Sequence, residues 1–105
     1  MKIKYEVKEM SYQLKTFEKL KEVKPILATK YPIKNLALFG SVSRKEDEES
    51  SDIDILVEFN RSVGMEFIHL SYDLEKLLKR KVDLVSRKGI KEKYFKVIEP
   101  ELIYV

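Results

Sequence analysis

The sequence predicts a small α/β (α+β) fold, in which a small mixed β-sheet carries helices packed mainly on one side. Two patterns support this prediction: apolar residues recur at helical spacing in some stretches and alternate with polar residues in others. The two kinds of stretch follow one another along the chain, as expected for helices packed on a sheet. The chain has 105 residues and contains no repeat or linker-like segment, so we expect residues 1–105 to form a single domain.

The first half of the chain predicts a helix followed by a strand. Residues 1–9 alternate loosely and indicate a short edge strand or an irregular lead-in. Apolar spacing over residues 11–30 predicts an amphipathic helix, with Ser11 as N-cap and Pro25 as the site of a kink or break. The apolar run LALF that follows predicts a buried strand, which ends in a tight turn at Gly40.

The second half predicts two more strands and two more helices. Residues 52–59 alternate between an apolar and a polar face, which is typical of a half-buried strand. A second amphipathic helix is predicted after Gly64, and the segment KVDLV at 81–85 predicts another strand. A last helix is predicted to end before Pro100, and the closing ELIYV is expected to be a strand or a docking tail. The residues that indicate the last helix are Ile90, Tyr94 and Val97.

The composition excludes several classes of protein. The chain has no cysteine, so disulfides and thiolate metal sites are excluded, and we expect a cytoplasmic location. No apolar run is long enough to span a bilayer, so we expect no membrane partner. The net charge of +3 is modest and the positive residues are spread along the chain, which does not favour nucleic acid as a direct ligand.

Two carboxylates mark the strand at 52–59. Asp52 and Asp54 share its polar face, where residues two apart stand about 6.6 Å from each other and point the same way. Asp is depleted in strands, so a plain solvent-exposed face explains this pair less well than a bound cation does. Mg²⁺ favours such ligation, with one or two carboxylates and substrate phosphates.

Two further features extend this candidate site. Asp83 lies on the non-core face of the strand at 81–85, and it would join the other carboxylates if the two strands are neighbours. Gly40 and Ser41 follow a buried strand, where exposed backbone N–H groups can hold a phosphate and the serine hydroxyl can donate to it. Taken alone, the pair Gly40 and Ser41 could form an ordinary turn, and Asp83 could be an ordinary acid at the edge of a strand.

The segment GSVSRKEDEESSDIDILVEF resembles the signature of the nucleotidyltransferase superfamily that includes DNA polymerase beta. The signature consists of Gly-Ser, then an Arg, then Ser-Asp-x-Asp, and the later segment KVDLVS resembles the strand that carries the family's third carboxylate. Within the superfamily, the chain is most similar to the minimal nucleotidyltransferases (MNT proteins), which include the MntA-type antitoxins of HEPN/MNT toxin–antitoxin pairs. The resemblance implies the nucleotidyltransferase fold.

The resemblance also implies a role for each matching residue. The residues implied for nucleotide binding are Gly40, Ser41, Arg44 and Ser51. The residues implied for metal binding and catalysis are Asp52, Asp54 and Asp83. The cofactor would be Mg²⁺, as two ions, and the substrate ATP.

The activity implied by the resemblance is transfer of AMP from ATP to a tyrosine hydroxyl of a cognate HEPN toxin, which silences the toxin. Two alternatives remain open: an antitoxin that neutralises its partner by complex formation without catalysis, and a nucleotidyltransferase that modifies a small molecule such as an antibiotic. The sequence leaves the acceptor, the base preference, the number of nucleotides transferred and the homo- or hetero-oligomeric state open.

Overall fold

A computed structural model of the protein describes residues 11–40, 42 and 52–105. The elements within these residues are α1 (Ser11–Lys30), β1 (Ile33–Phe39), β2 (Ile53–Phe59), α2 (Glu66–Leu78), β3 (Val82–Ser86), α3 (Glu92–Ile98), a 3₁₀ helix (Glu99–Glu101) and β4 (Ile103–Tyr104). The fold class predicted from the sequence is confirmed. The lead-in predicted for residues 1–9 lies outside the described residues.

The strands form one mixed sheet in the order β3-β2-β1-β4. β1 runs antiparallel to both of its neighbours, β2 and β4, while β2 and β3 are parallel. A parallel pair needs a crossover connection, and α2 supplies it between β2 and β3. Within the C-terminal segment ELIYV, Ile103 and Tyr104 form the strand β4, which matches one of the two sequence-based expectations.

One face of the sheet carries the main hydrophobic core. Apolar residues of α1 and α2 pack there against alternate residues of β1, β2 and β3, so two of the three described helices lie on this side. The residues with no exposed surface include Leu20, Leu36, Leu38, Ile55, Val57, Leu70 and Leu74. Since alternate residues of a strand point to opposite faces, this packing turns the polar face of β2 away from the main core.

α3 covers the middle of the second face. Phe95 is 8% exposed and packs against Ala37 and Leu56. The sequence predicted this helix from Tyr94 and Val97, yet these two side chains are exposed. The helix is only seven residues long, so the position of the sheet beneath it, and not a repeated apolar stripe, decides which of its side chains are buried.

α1 is one uninterrupted helix, so of the kink or break predicted at Pro25 the break is wrong. Pro25 and Lys21, whose carbonyl would have paired with the missing N–H, both lie on the exposed side. Water can therefore satisfy the carbonyl that proline leaves without a donor. In the described part of the chain, no helix combines the length and apolar character that crossing a membrane requires.

A polar cluster joins the end of α1 to α2. The ammonium of Lys30 and the hydroxyl of Tyr31 both donate to Oδ2 of Asp73, at 2.8 and 2.6 Å. These hydrogen bonds hold the pKa of Asp73 below its usual value, and the bond from Lys30 has the larger effect. Burial, followed by the hydrogen bond to Asp73, raises the pKa of Tyr31 from 10.0 to about 12.

We expect this cluster to make the folded state sensitive to alkali. The Tyr31 phenol ionises at its ordinary value of 10.0 in the unfolded chain but only near 12 in the folded one. Its contribution is thus complete below pH 10.0 and is lost as the pH rises to about 12. Denaturant melts across this range should show a loss of at most about 3 kcal/mol from this group, since one pKa unit corresponds to about 1.4 kcal/mol.

Tyr31→Phe should flatten the pH dependence of the free energy of unfolding in this alkaline range. The matched control is Tyr72→Phe, because Tyr72 lies on α2 with 64% of its surface exposed. An unchanged alkaline slope in Tyr31→Phe would mean that other groups cause the loss.

Candidate active site

The start of β2 presents the first two candidate carboxylates on the second face of the sheet. Ile53 and Ile55 point into the main core, so Asp54 between them points to the opposite side, where it is half-buried. Asp52 directly precedes the strand and is exposed. The alternation predicted from the sequence therefore places Asp54, with Asp52 just ahead of it, at the end of the face that α3 leaves uncovered.

The parallel pairing of β2 and β3 brings the third carboxylate to the same place. Asp54 and Asp83 are direct partners in the register of the two strands. Directly paired residues stand about 4.8 Å apart between strands and point to the same face. Val82 and Leu84 enter the main core, so Asp83 also lies on the second face, where it is exposed. The condition set by the sequence, that these strands be neighbours, is confirmed.

Gly40 forms the wall of the site next to Asp54. It follows β1 with a φ of +70°, a conformation that side chains strongly disfavour. A Cβ added to Gly40 would overlap a carboxylate oxygen of Asp54 and lie 3.0 Å from its Cγ. The absence of a side chain therefore allows the backbone turn and the Asp54 carboxylate to come into direct contact.

A fourth acid, Glu101, contacts the same turn and was missed by the sequence reasoning. The N–H of Gly40 donates to Oε1 of Glu101 at 3.1 Å. Leu38 pairs with Ile103 in the antiparallel β1–β4 pair. Gly40, two residues after Leu38, therefore lies opposite Glu101, two residues before Ile103. The only signal in the sequence is the strand-like ELIYV, which does not reveal the strand with which it pairs.

The donors at this site fit a hard cation such as Mg²⁺. They are carboxylates on two neighbouring strands beside a turn without a side chain, which lets the backbone lie directly against the Asp54 carboxylate. Among residues 11–40, 42 and 52–105, however, no three acidic, histidine or cysteine side chains are already gathered as a metal cluster. The pairing of Asp54 with Asp83 is thus the part of the predicted metal site that the structure brings together.

Three of the predicted nucleotide-binding residues lie outside the described residues. They are Ser41, Arg44 and Ser51. Gly40 is described and occupies the turn expected of it, directly after the buried strand.

The comparison with protein families decides the class of this site. The family model described as "Nucleotidyltransferase domain" matches residues 20–104, which include the Gly40 turn and all three candidate carboxylates. The chain belongs to the nucleotidyltransferase family. The enzyme class predicted from the sequence is therefore confirmed.

Individual relatives of this nucleotidyltransferase agree with that assignment. A Methanocaldococcus jannaschii protein that carries the name protein adenylyltransferase is 47% identical over 100 residues, which cover 88% of this chain and all of the relative. A solved minimal nucleotidyltransferase is 32% identical, with a TM-score of 0.74 over 86% of this chain and 93% of its own. A toxin–antitoxin structure with AMP-PNP is 26% identical, with a TM-score of 0.54 over 76% of this chain and 60% of its own.

Proposed function

We propose that this nucleotidyltransferase is an antitoxin that transfers AMP from ATP to a tyrosine hydroxyl of a HEPN-type toxin, in a Mg²⁺-dependent reaction. The observation that carries the proposal is the register pairing of Asp54 with Asp83 beside the Gly40 turn. Two carboxylates therefore lie next to a glycine turn, and Asp83 is exposed on the face that would receive the acceptor. Support for a protein acceptor comes from the relative named protein adenylyltransferase, and support for the nucleotide and the toxin from the neighbour with AMP-PNP.

The proposed reaction joins the tyrosine oxygen to the α-phosphorus of ATP. The bond from this phosphorus to the oxygen that bridges to the β-phosphate breaks, and pyrophosphate leaves. The Asp83 carboxylate takes the proton of the attacking hydroxyl, which suits its exposed position on the open face. Most of the rate then comes from holding the acceptor in line with the leaving group.

Asp52, Asp54 and Asp83 are the residues that would hold Mg²⁺ in this proposal. When bound, the ion neutralises charge on the reacting phosphate and on the leaving pyrophosphate. The turn at Gly40, whose own N–H donates to Glu101, would hold the triphosphate together with Ser41, Arg44 and Ser51. Oxygen donors alone, with no cysteine in the chain, favour this ion over softer metals.

The test of the proposed function uses intact-mass spectrometry. The purified protein is incubated with ATP, Mg²⁺ and a HEPN-domain protein from the same genome, and the HEPN protein should gain the mass of one or more AMP groups. Tyrosine-to-phenylalanine variants of the HEPN protein then identify the acceptor. A HEPN protein that keeps its mass but loses its toxicity would favour neutralisation by complex formation. Transfer of labelled AMP to an added aminoglycoside, and not to the protein, would favour a small-molecule enzyme.

Asp83→Asn should separate partner binding from transfer. Asp83 is proposed to act on the acceptor hydroxyl, and removal of a general base typically costs about 10²–10⁴-fold in rate. The variant should therefore still co-purify with the HEPN protein while leaving its mass unchanged. Glu92→Gln is a matched control, because Glu92 is exposed at the start of α3, where its carboxylate accepts a hydrogen bond from Arg87 at 2.6 Å. Loss of co-purification in Asp83→Asn would place Asp83 in the docking surface instead.

A further inference from the structure

The carboxylate of Glu101 accepts a hydrogen bond from the backbone of the Gly40 turn. From the geometry we infer that Glu101 is a positioning residue for nucleotide binding: its carboxylate fixes the backbone turn that receives the triphosphate. The inference rests on the proposed function, since it concerns the same site. Glu101 itself is not assigned contact with the substrate.

The first argument is the position of Gly40 between two acids from distant parts of the chain. Asp54 of β2 lies against its Cα, where an added Cβ would be 3.0 Å from the carboxylate carbon. Oε1 of Glu101 accepts its N–H at 3.1 Å. The turn at φ +70° is thus fixed on both sides by side chains and not by its own backbone alone.

The second argument concerns how Glu101 is itself held. The 3₁₀ helix Glu99–Glu101 ends where the Leu102 N–H donates to the Glu99 carbonyl at 3.2 Å, and β4 then pairs with β1. The N–H of Val105 donates to the carbonyl of Leu36 at 3.0 Å, which continues the alignment of the two segments. Since these bonds fix the distance between the segments, the side chain of residue 101 is aimed at Gly40 by the edge of the sheet.

The third argument is chemical. A hydrogen bond to an ionised acceptor is about twice as strong as a neutral one, so a carboxylate restrains an N–H better than an amide oxygen or water would. A turn restrained before the nucleotide arrives has less conformational freedom to lose on binding. Loss of this restraint should therefore weaken nucleotide binding more than it weakens the fold, because the β1–β4 backbone bonds remain.

The test compares Glu101→Ala, Glu101→Gln and Glu99→Ala by two measurements. The first is the Kd for ATP with Mg²⁺ from titration calorimetry, and the second is the hydrogen-exchange rate of the Gly40 amide by NMR without nucleotide. Glu99 is the matched control, because it lies on the same 3₁₀ helix and is exposed. We expect Glu101→Ala to raise the Kd about tenfold and to speed exchange at Gly40, as loss of one charge-assisted hydrogen bond would. Glu101→Gln, which keeps an acceptor oxygen but loses the charge, should lie between the wild type and Glu101→Ala in both properties, and Glu99→Ala should resemble the wild type.

The outcomes separate this inference from the proposed function. If ATP binds all variants equally, the inference is wrong while the proposed function stands. Faster exchange in Glu101→Ala with an unchanged Kd also overturns it, because the contact would then hold the turn without serving the nucleotide. If the wild-type protein binds no ATP, the proposed function fails and the inference fails with it. Equal weakening of ATP binding in the Gln and Ala variants supports the inference if exchange at Gly40 is faster in both, and overturns it if exchange at Gly40 is unchanged in both.

Discussion

Asp54→Asn is expected to abolish nucleotidyl transfer, with a loss of at least about a thousandfold, or roughly 4 kcal/mol of transition-state stabilisation. Asn has nearly the same shape as Asp, so β2 and its pairing with Asp83 should persist, while the charge available to a cation disappears. Like charges directly opposite each other destabilise a sheet, so the melting temperature without Mg²⁺ should hold or rise. The measurements are the rate of AMP transfer and a thermal melt in a metal chelator.

Glu58→Gln is the matched control for Asp54→Asn. Glu58 lies on the same strand and the same face, four residues further along, where it accepts a hydrogen bond from Asn35 at 2.9 Å. Glutamine keeps an oxygen for this bond, so the control should transfer AMP at nearly the wild-type rate. Near-normal transfer by Asp54→Asn would remove Asp54 from the metal site, and an equal loss in both variants would indicate a general effect on the sheet.

Gly40→Ala is expected to cost both stability and activity. The residue has a φ of +70°, and left-handed backbone costs a residue with a side chain about 1–2 kcal/mol. The new methyl group would also overlap the Asp54 carboxylate and force either the turn or the acid to move. We therefore expect a lower melting temperature and a loss of transfer of at least about a hundredfold, since small displacements of catalytic groups have effects of this size.

Gly64→Ala is the control that shows whether the effect of Gly40→Ala is specific to the candidate active site. A Cβ at Gly64 meets nothing within 4 Å and its φ is not in the left-handed region, so the substitution should leave transfer unchanged. Activity that survives in Gly40→Ala would show that the turn can relax without disturbing Asp54. The contact between backbone and carboxylate would then have no part in the reaction.

Local sequence pattern predicted the parts of this site that depend on local geometry. The alternation of Asp54 with Ile53 and Ile55 determines which face each side chain occupies, because the strand repeat is two residues. Gly40 could likewise be assigned to a turn, since a buried apolar run ended there. These assignments need no knowledge of which strands are neighbours.

The remaining features of the site depend on contacts between segments that are distant in sequence, which local patterns do not predict. The sequence predicts that Asp54 and Asp83 meet only if β2 and β3 are neighbours, because no short segment determines the order of the strands. Glu101 was missed for the same reason, since its importance comes from the pairing of β4 with β1. The sequence predicts the last helix from Tyr94 and Val97 among others, but both side chains are exposed, because in a helix this short the position of the sheet beneath it decides which side is buried.

The contact between Gly40 and Glu101 joins residues 61 positions apart, and this separation affects when the site is completed as the chain folds. Asp54 and Asp83, which pair across β2 and β3, are separated by less than half that number of residues. Contacts between residues far apart in sequence form late, because a long loop must close first. A folding chain should thus bring the carboxylate pair together before it fixes the Gly40 turn, so the capacity to bind nucleotide would be acquired late in folding.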